Sequence, residues 1–191
     1  MESLLVSIGV VALAEIGDKT QLLSFILAAR FRKPWPIIWG ILIATIFNHG
    51  VAGSLGVWLT QVMSPGALRW ALGLSFIAMA GWMLIPDKLD DTDVRSRPRW
   101  GVFGTTLLVF FLAEMGDKTQ IATVVLAAKF QQLVPVVIGT TVGMMLANVP
   151  AVLIGDRLAH RLPVKLVHGI AAAIFLGLGI LTLSGAADSM L

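Results

Sequence analysis

A chain of 191 residues that is 57% hydrophobic and 13% charged, with a mean hydropathy of +0.89, carries more apolar surface than a soluble domain of its size can hide. It has no cysteine, which removes disulfides, thiolate metal sites and thiol catalysis together. The net charge of +3 and pI near 9.7 could suggest nucleic acid, but basic residues beside apolar segments report membrane topology, so no nucleic-acid partner is expected.

The pattern predicts an all-α polytopic membrane protein with six spans, each needing about 20 residues to cross the hydrocarbon core. Span one covers Ser3–Phe31 and is stopped by Arg30, Arg32, Lys33, Pro34 and Pro36. Its start, Met1-Glu2-Ser3, has no basic n-region, and acids interrupt the apolar run, so neither a cleaved signal peptide nor a transit peptide is read. Span two covers Ile37–Thr60 and ends at the Ser64-Pro65-Gly66 turn, and span three covers Leu68–Ile85. A polar stretch from Pro86 to Arg99 follows; then come span four (Trp100–Phe130), span five (Val134–Ile154) and span six (Leu166–Leu183).

Spans one and four carry the same word. Ala14-Glu15-Ile16-Gly17-Asp18-Lys19-Thr20-Gln21 returns 99 residues later as Ala113-Glu114-Met115-Gly116-Asp117-Lys118-Thr119-Gln120, and 10 of 17 positions match between Glu15–Phe31 and Glu114–Phe130. The same offset pairs Pro36 with Pro135, Gly40 with Gly139, Gly56 with Gly155, Leu59 with Leu158 and Phe76 with Phe175. The chain therefore divides into residues 1–86, a linker 87–99 and residues 100–191. Three spans per half make the two halves enter the membrane from opposite sides, an inverted-topology repeat.

Ten basic residues fall in the loops after spans one, three and five (Arg30, Arg32, Lys33; Lys88, Arg95, Arg97, Arg99; Arg157, Arg161, Lys165), against Arg69 and Lys129 on the other side. Lysine and arginine collect on the cytoplasmic side, which puts the linker inside and both termini outside. The six tryptophans, Trp35, Trp39, Trp58, Trp70, Trp82 and Trp100, lie near span ends, as an interfacial belt requires.

An ionisable side chain at the centre of a span costs roughly 2.5–3.5 kcal/mol or more, so a repeated cluster of three marks a functional site. On a continuous helix Glu15, Asp18 and Lys19 share a face, Gln21 lies to the Asp18 side, and Thr20 and Ser24 point elsewhere. Gly17 lets the backbone loosen and free carbonyl oxygens, as in discontinuous transporter helices. A pseudo-twofold axis would bring Glu15, Asp18, Glu114 and Asp117 together as metal ligands, with Lys19, Thr20, Gln21, Lys118, Thr119 and Gln120 supporting them. Oxygen donors without His or Cys suit hard cations such as Ca²⁺, Mg²⁺ or Mn²⁺. Four carboxylates less two lysines leave −2, which one divalent ion or about two protons would neutralise.

Bland readings compete at several positions. Glu15–Lys19 and Glu114–Lys118 could be helix-stabilising pairs with no substrate. Asn48 and Asn148, one residue out of strict register, could be ligands or interhelical hydrogen bonders. Gly40-x-x-x-Ala44 and Gly139-x-x-x-Gly143 read as close-packing seams. His49 is expected to make a polar contact, and His160 and His168 to be loop or interface residues. The acid-rich Asp87–Asp93 run lacks the glycine and terminal glutamate of an EF-hand loop. Gly17-Asp18-Lys19-Thr20 ends like a phosphate loop, but Asp18 intrudes and no upstream glycine has the required spacing. An intramembrane aspartyl protease would need a shared-proton dyad, and a lysine beside each aspartate opposes that.

Twice-repeated E-x-G-D-[KR]-[TS] in a small six-span chain resembles the divalent-cation/proton exchanger family that includes Golgi, chloroplast and bacterial manganese exporters of the MneA type. Glu15–Thr20 and Glu114–Thr119 match at every specified position, and the resemblance spans essentially the whole chain. It implies export of Mn²⁺, or Ca²⁺ in some relatives, from the cytosol in exchange for protons, with the motif acids as ligands and no resident cofactor. Without a long N-terminal extension the chain is similar to prokaryotic plasma-membrane members. The more distant superfamily holds amino-acid exporters of the lysine-exporter type, which stay the alternative transporter.

Overall fold

The computed structural model describes residues 1–85, 100–154 and 164–185. The linker 86–99, the repeat positions Gly155 and Leu158, and Arg157, His160 and Arg161 lie outside the described residues. Within them the chain forms eight helices: α1 (Glu2–Glu15), α2 (Lys19–Phe31), α3 (Pro34–Val62), α4 (Pro65–Met83), α5 (Gly101–Glu114), α6 (Lys118–Phe130), α7 (Leu133–Ile154) and α8 (Val164–Leu183). Three of them, α3, α7 and α8, are long and apolar enough to cross a membrane by length and composition, and α5 is a shorter apolar helix.

Spans one and four were expected as single helices, and each is two. The break falls inside the motif. Glu15 O accepts from Asp18 N at 3.0 Å, with Ile16 at φ −66°, ψ 113° and Gly17 at φ 84°. Those are the dihedrals of a type II turn, whose third residue sits at positive φ and so favours glycine. Met115 (φ −65°, ψ 116°) and Gly116 (φ 77°) repeat it, closed by Asp117 N to Glu114 O at 3.1 Å. In each copy a glutamine one turn into the next helix reaches back: Gln21 Oε1 accepts from Gly17 N at 2.8 Å, and Gln120 Oε1 from Gly116 N at 2.7 Å. The sequence thus encodes a stop, a turn and a restart within seven residues, much as a capping box does at a helix entrance.

Boundaries move elsewhere too. Pro34 and Pro36, read as stops, open α3, because a proline's missing N–H costs nothing in a first helical turn. Arg32 and Gln131 end α2 and α6 in the left-handed conformation (φ 50° and 51°).

The core brings α1 onto α7 and α5 onto α3. Glycines set that approach: a Cβ on Gly40 would stand 2.8 Å from Thr106 Cβ, and one on Gly143 would stand 2.7 Å from Ile8 O. The close-packing reading of both small-residue seams holds. α4 and α8 pack on each other through Gly73 against Leu183, Gly179 against Ile77, and the rings of Phe76 and Phe175, whose centroids are 6.2 Å apart.

Candidate functional site

The two turns place the motif side chains at the ends of four half-helices. Glu15 and Glu114 close α1 and α5; Asp18 and Asp117 stand at the entrances of α2 and α6. All four carboxylates are buried, both glutamates completely. One carboxylate oxygen from each of Glu15, Glu114 and Asp117 lies within 4.8 Å of the other two, close enough to share one cation. Asp18 sits one step aside, with its Oδ1 3.8 Å from Lys118 Nζ.

The lysines correct the helical-wheel reading. Lys19 does not pair with Glu15 one turn back: its Nζ lies 3.1 Å from Asp117 Oδ1 in the other half. Lys118 answers with Asp18, so each half neutralises an aspartate of its partner. The pairs differ in surroundings, since the Lys19 side chain is 24% exposed and that of Lys118 only 2%. Lys118 Nζ also reaches Ile85 O, just beyond α4, at 3.5 Å.

Thr20 does not point elsewhere either. Its Oγ1 donates to Glu15 Oε2 at 2.6 Å, and Thr119 Oγ1 donates to Glu114 Oε2 at 3.0 Å. The turn resets the helical phase, so the threonine after the aspartate folds back over the glutamate before it. Each glutamate is thereby held by one oxygen, while Glu15 Oε1 and Glu114 Oε1 have no hydrogen-bond partner among the described residues. Buried carboxylate oxygens without donors suit a cationic ligand. Two helix C-termini (α1 and α5) also end here, and their free carbonyls favour positive charge.

The outer polar residues mostly join helices. Gln21 Nε2 donates to Ala147 O at 3.1 Å, besides bracing the turn. Asn48 Nδ2 donates to Phe111 O at 3.1 Å, and Asn148 Oδ1 accepts from Ser24 Oγ at 2.7 Å. Of their two readings, interhelical hydrogen bonding is the one these contacts match. In strict register the counterpart of Asn148 is His49; it is buried, and both ring nitrogens lack a partner among the described residues, so the expected polar contact is missing. His168, expected as a loop or interface residue, lies in α8 at an interface: its Nε2 is 2.8 Å from Ile16 O, the carbonyl exposed by the first turn. Its only signal was a histidine one turn into an otherwise apolar span.

A buried, oxygen-only acid cluster at paired helix breaks could hold a hard cation. The family model described as divalent cation/proton antiporter GDT1 matches residues 3–91 and again 102–190. The chain belongs to that family. It is a multi-pass membrane transporter, not an enzyme, and the family's activity is the exchange of a divalent cation for protons. A protein of Vibrio cholerae serotype O1 described as "Putative manganese exporter" is 51% identical over 183 residues, covering 95% of this chain and 90% of that one. A GDT1-like protein of Synechocystis is 27% identical over 86% of this chain and 88% of its own length, and GDT1-like protein 3 of rice is 25% identical over 94% and 72%. No solved structure matches.

Proposed function

We propose that this transporter exports Mn²⁺, with Ca²⁺ as the second candidate, from the cytosol of a prokaryote in exchange for protons. The observation that carries this is the convergence of Glu15, Glu114 and Asp117 oxygens within 4.8 Å, fully buried and without nitrogen or sulfur donors. Hard divalent ions take oxygen ligands of this kind, six or more of them. Mn²⁺ rather than Ca²⁺ is favoured by the Vibrio cholerae relative's description. Asp18 flanks this trio with Lys118 beside it, and both lysines stay at the site as fixed counter-charges when the metal binds.

The proton stoichiometry follows from charge. Four acids less two lysines leave −2 in a site closed to water; one divalent ion or about two protons cancels it. The carrier then crosses in either form without a net charge at its centre. Amino-acid export is disfavoured by the same count, since a zwitterion gains nothing from four acids.

The architecture that goes with this is six spans in two inverted halves, residues 1–86 and 100–191, joined by the linker 87–99. A helix of 14 residues rises about 21 Å and cannot cross alone, so α1 with α2, and α5 with α6, each make one broken span. Equal lengths, matching turns and reciprocal ion pairs support the repeat. The basic-residue asymmetry puts both termini outside and the linker in the cytoplasm. Five of the six tryptophans are exposed, as a lipid-interface belt needs.

The deciding measurement is Mn²⁺ and Ca²⁺ flux in proteoliposomes with the pH gradient and membrane potential set independently. Flux should follow the pH gradient and be nearly indifferent to potential. Flux driven by potential alone, unchanged when the pH gradient collapses, would sink antiport and indicate a channel or uniporter.

A further inference from the structure

We propose that α4 and α8 move as one unit across the two helix breaks, with His168 latching the arrangement seen here and Arg69 latching its mirror at the other break. This rests on the transport reading above. The starting point is an asymmetry in an otherwise symmetric molecule. The α4–α8 pair sits with α8 against α1 and α4 against α6; the exchanged contacts, α8 with α2 and α4 with α5, make no comparable packing. α1 and α6 lie on the same side of the acid cluster, since Ser3 Oγ near the start of α1 donates to Gln132 Oε1 just past the end of α6 at 2.8 Å. The end of α4 touches Lys118 through Ile85 O, and the start of α8 touches Gly17 through Val164. Both helices therefore run from the level of the site toward one side and, among the described residues, cover it from there.

The two breaks make the asymmetry concrete. At the first, a Cβ on Gly17 would collide with the Val164 side chain, and His168 holds Ile16 O at 2.8 Å. At the second, nothing among the described residues lies within 4 Å of a Cβ on Gly116, and Met115 is 55% exposed. Subtracting the repeat offset of 99 turns Val164 into Pro65 and His168 into Arg69. Arg69 stands one turn into α4 as His168 does into α8, and its Nε is buried without a hydrogen-bond partner among the described residues. The backbones of the two turns agree within a few degrees in φ and ψ, so the surface α8 grips at the first is available to α4 at the second. Two packings of matching backbone geometry related by exchange of halves are the bistable element alternating access requires. Arg69 would donate to Met115 O when the pair has crossed, uncovering Ile16 and Gly17.

The absence of native cysteine makes this directly testable with a short, reducible bifunctional thiol reagent in proteoliposomes. The I16C/V164C pair should link readily and lose Mn²⁺ flux until reduction restores it. The P65C/M115C pair, apart in this arrangement, should link during turnover, and H168A should raise its yield by releasing the first latch. Single-cysteine variants, with flux retained, control for folding. Sustained flux through the linked I16C/V164C protein, or no P65C/M115C link during turnover, overturns the exchange; an unchanged yield in H168A overturns the latch. A protein that forms the P65C/M115C link yet moves no divalent cation even after the link is reduced supports the exchange and overturns the transport reading instead.

Discussion

At the scale of single residues, the proposed site joins two glutamates, each held by a threonine through one oxygen, to Asp117 beside them and Asp18 one step aside. Glu15→Gln, Glu114→Gln and Asp117→Asn should each abolish or severely reduce flux while leaving the protein folded, because a charge is taken from a desolvated divalent site. Asp18→Asn should also impair flux, but less, since Asp18 stands beside the converging trio and not within it. Equal losses in all four would mean that Asp18 coordinates from the outset. Thr20→Val and Thr119→Val remove a hydrogen bond to a charged group, a contribution of about 1.5–3 kcal/mol, so cation affinity should fall about tenfold or more and return with serine. The lysines separate by burial: Lys118→Met takes the counter-charge from a buried carboxylate, at a cost of up to about 3–5 kcal/mol, whereas Lys19 is partly exposed and its loss should lower the melting temperature less. Thermal unfolding in detergent orders the two.

The element that matters most is the broken helix, and it was only half legible. Gly17 and Gly116 signalled a loosened backbone, and the twofold motif signalled that two such places exist. What the helical wheel concealed was phase. It assigns 100° to every residue, but a type II turn interrupts that advance, so Thr20 returns to Glu15 instead of facing away. Pairing across halves was likewise invisible to local spacing, which offers Lys19 only Glu15 as an i−4 partner. A prediction separates the turns. Gly17→Ala and Gly116→Ala both place a side chain in the left-handed region, at about 1–2 kcal/mol. Only Gly17→Ala adds a collision with Val164, so it should be the more destabilising of the two in a melt. Equal losses would mean that α8 yields freely at that contact.

For the whole molecule, the proposed span count and orientation rest on patterns that the sequence states openly: apolar runs of membrane length and basic residues gathered on one side. The order in which helices pack is not stated there, because each apolar helix in this chain offers similar surfaces all round and small residues decide who approaches whom. The orientation has a simple check. A cysteine at Ser64, between α3 and α4, should react with an impermeant maleimide in intact cells, and one at Lys33, between α2 and α3, only after lysis. The reverse pattern would invert the protein.

The crossed ion pairs also set a schedule for biosynthesis. Lys19 and Asp18 are made 99 residues before Lys118 and Asp117, a gap of about 5–20 s at translation rates of ~5–20 residues per second. Throughout it, a nascent span holds three ionisable groups in or beside the bilayer whose final partners do not yet exist. The first half is thus an unfinished client, dependent on an insertion machinery or a water-filled vestibule until the second emerges. A chain ending at Ile85 should be cleared rapidly in cells, and co-expression of residues 100–191 as a separate chain should let it accumulate.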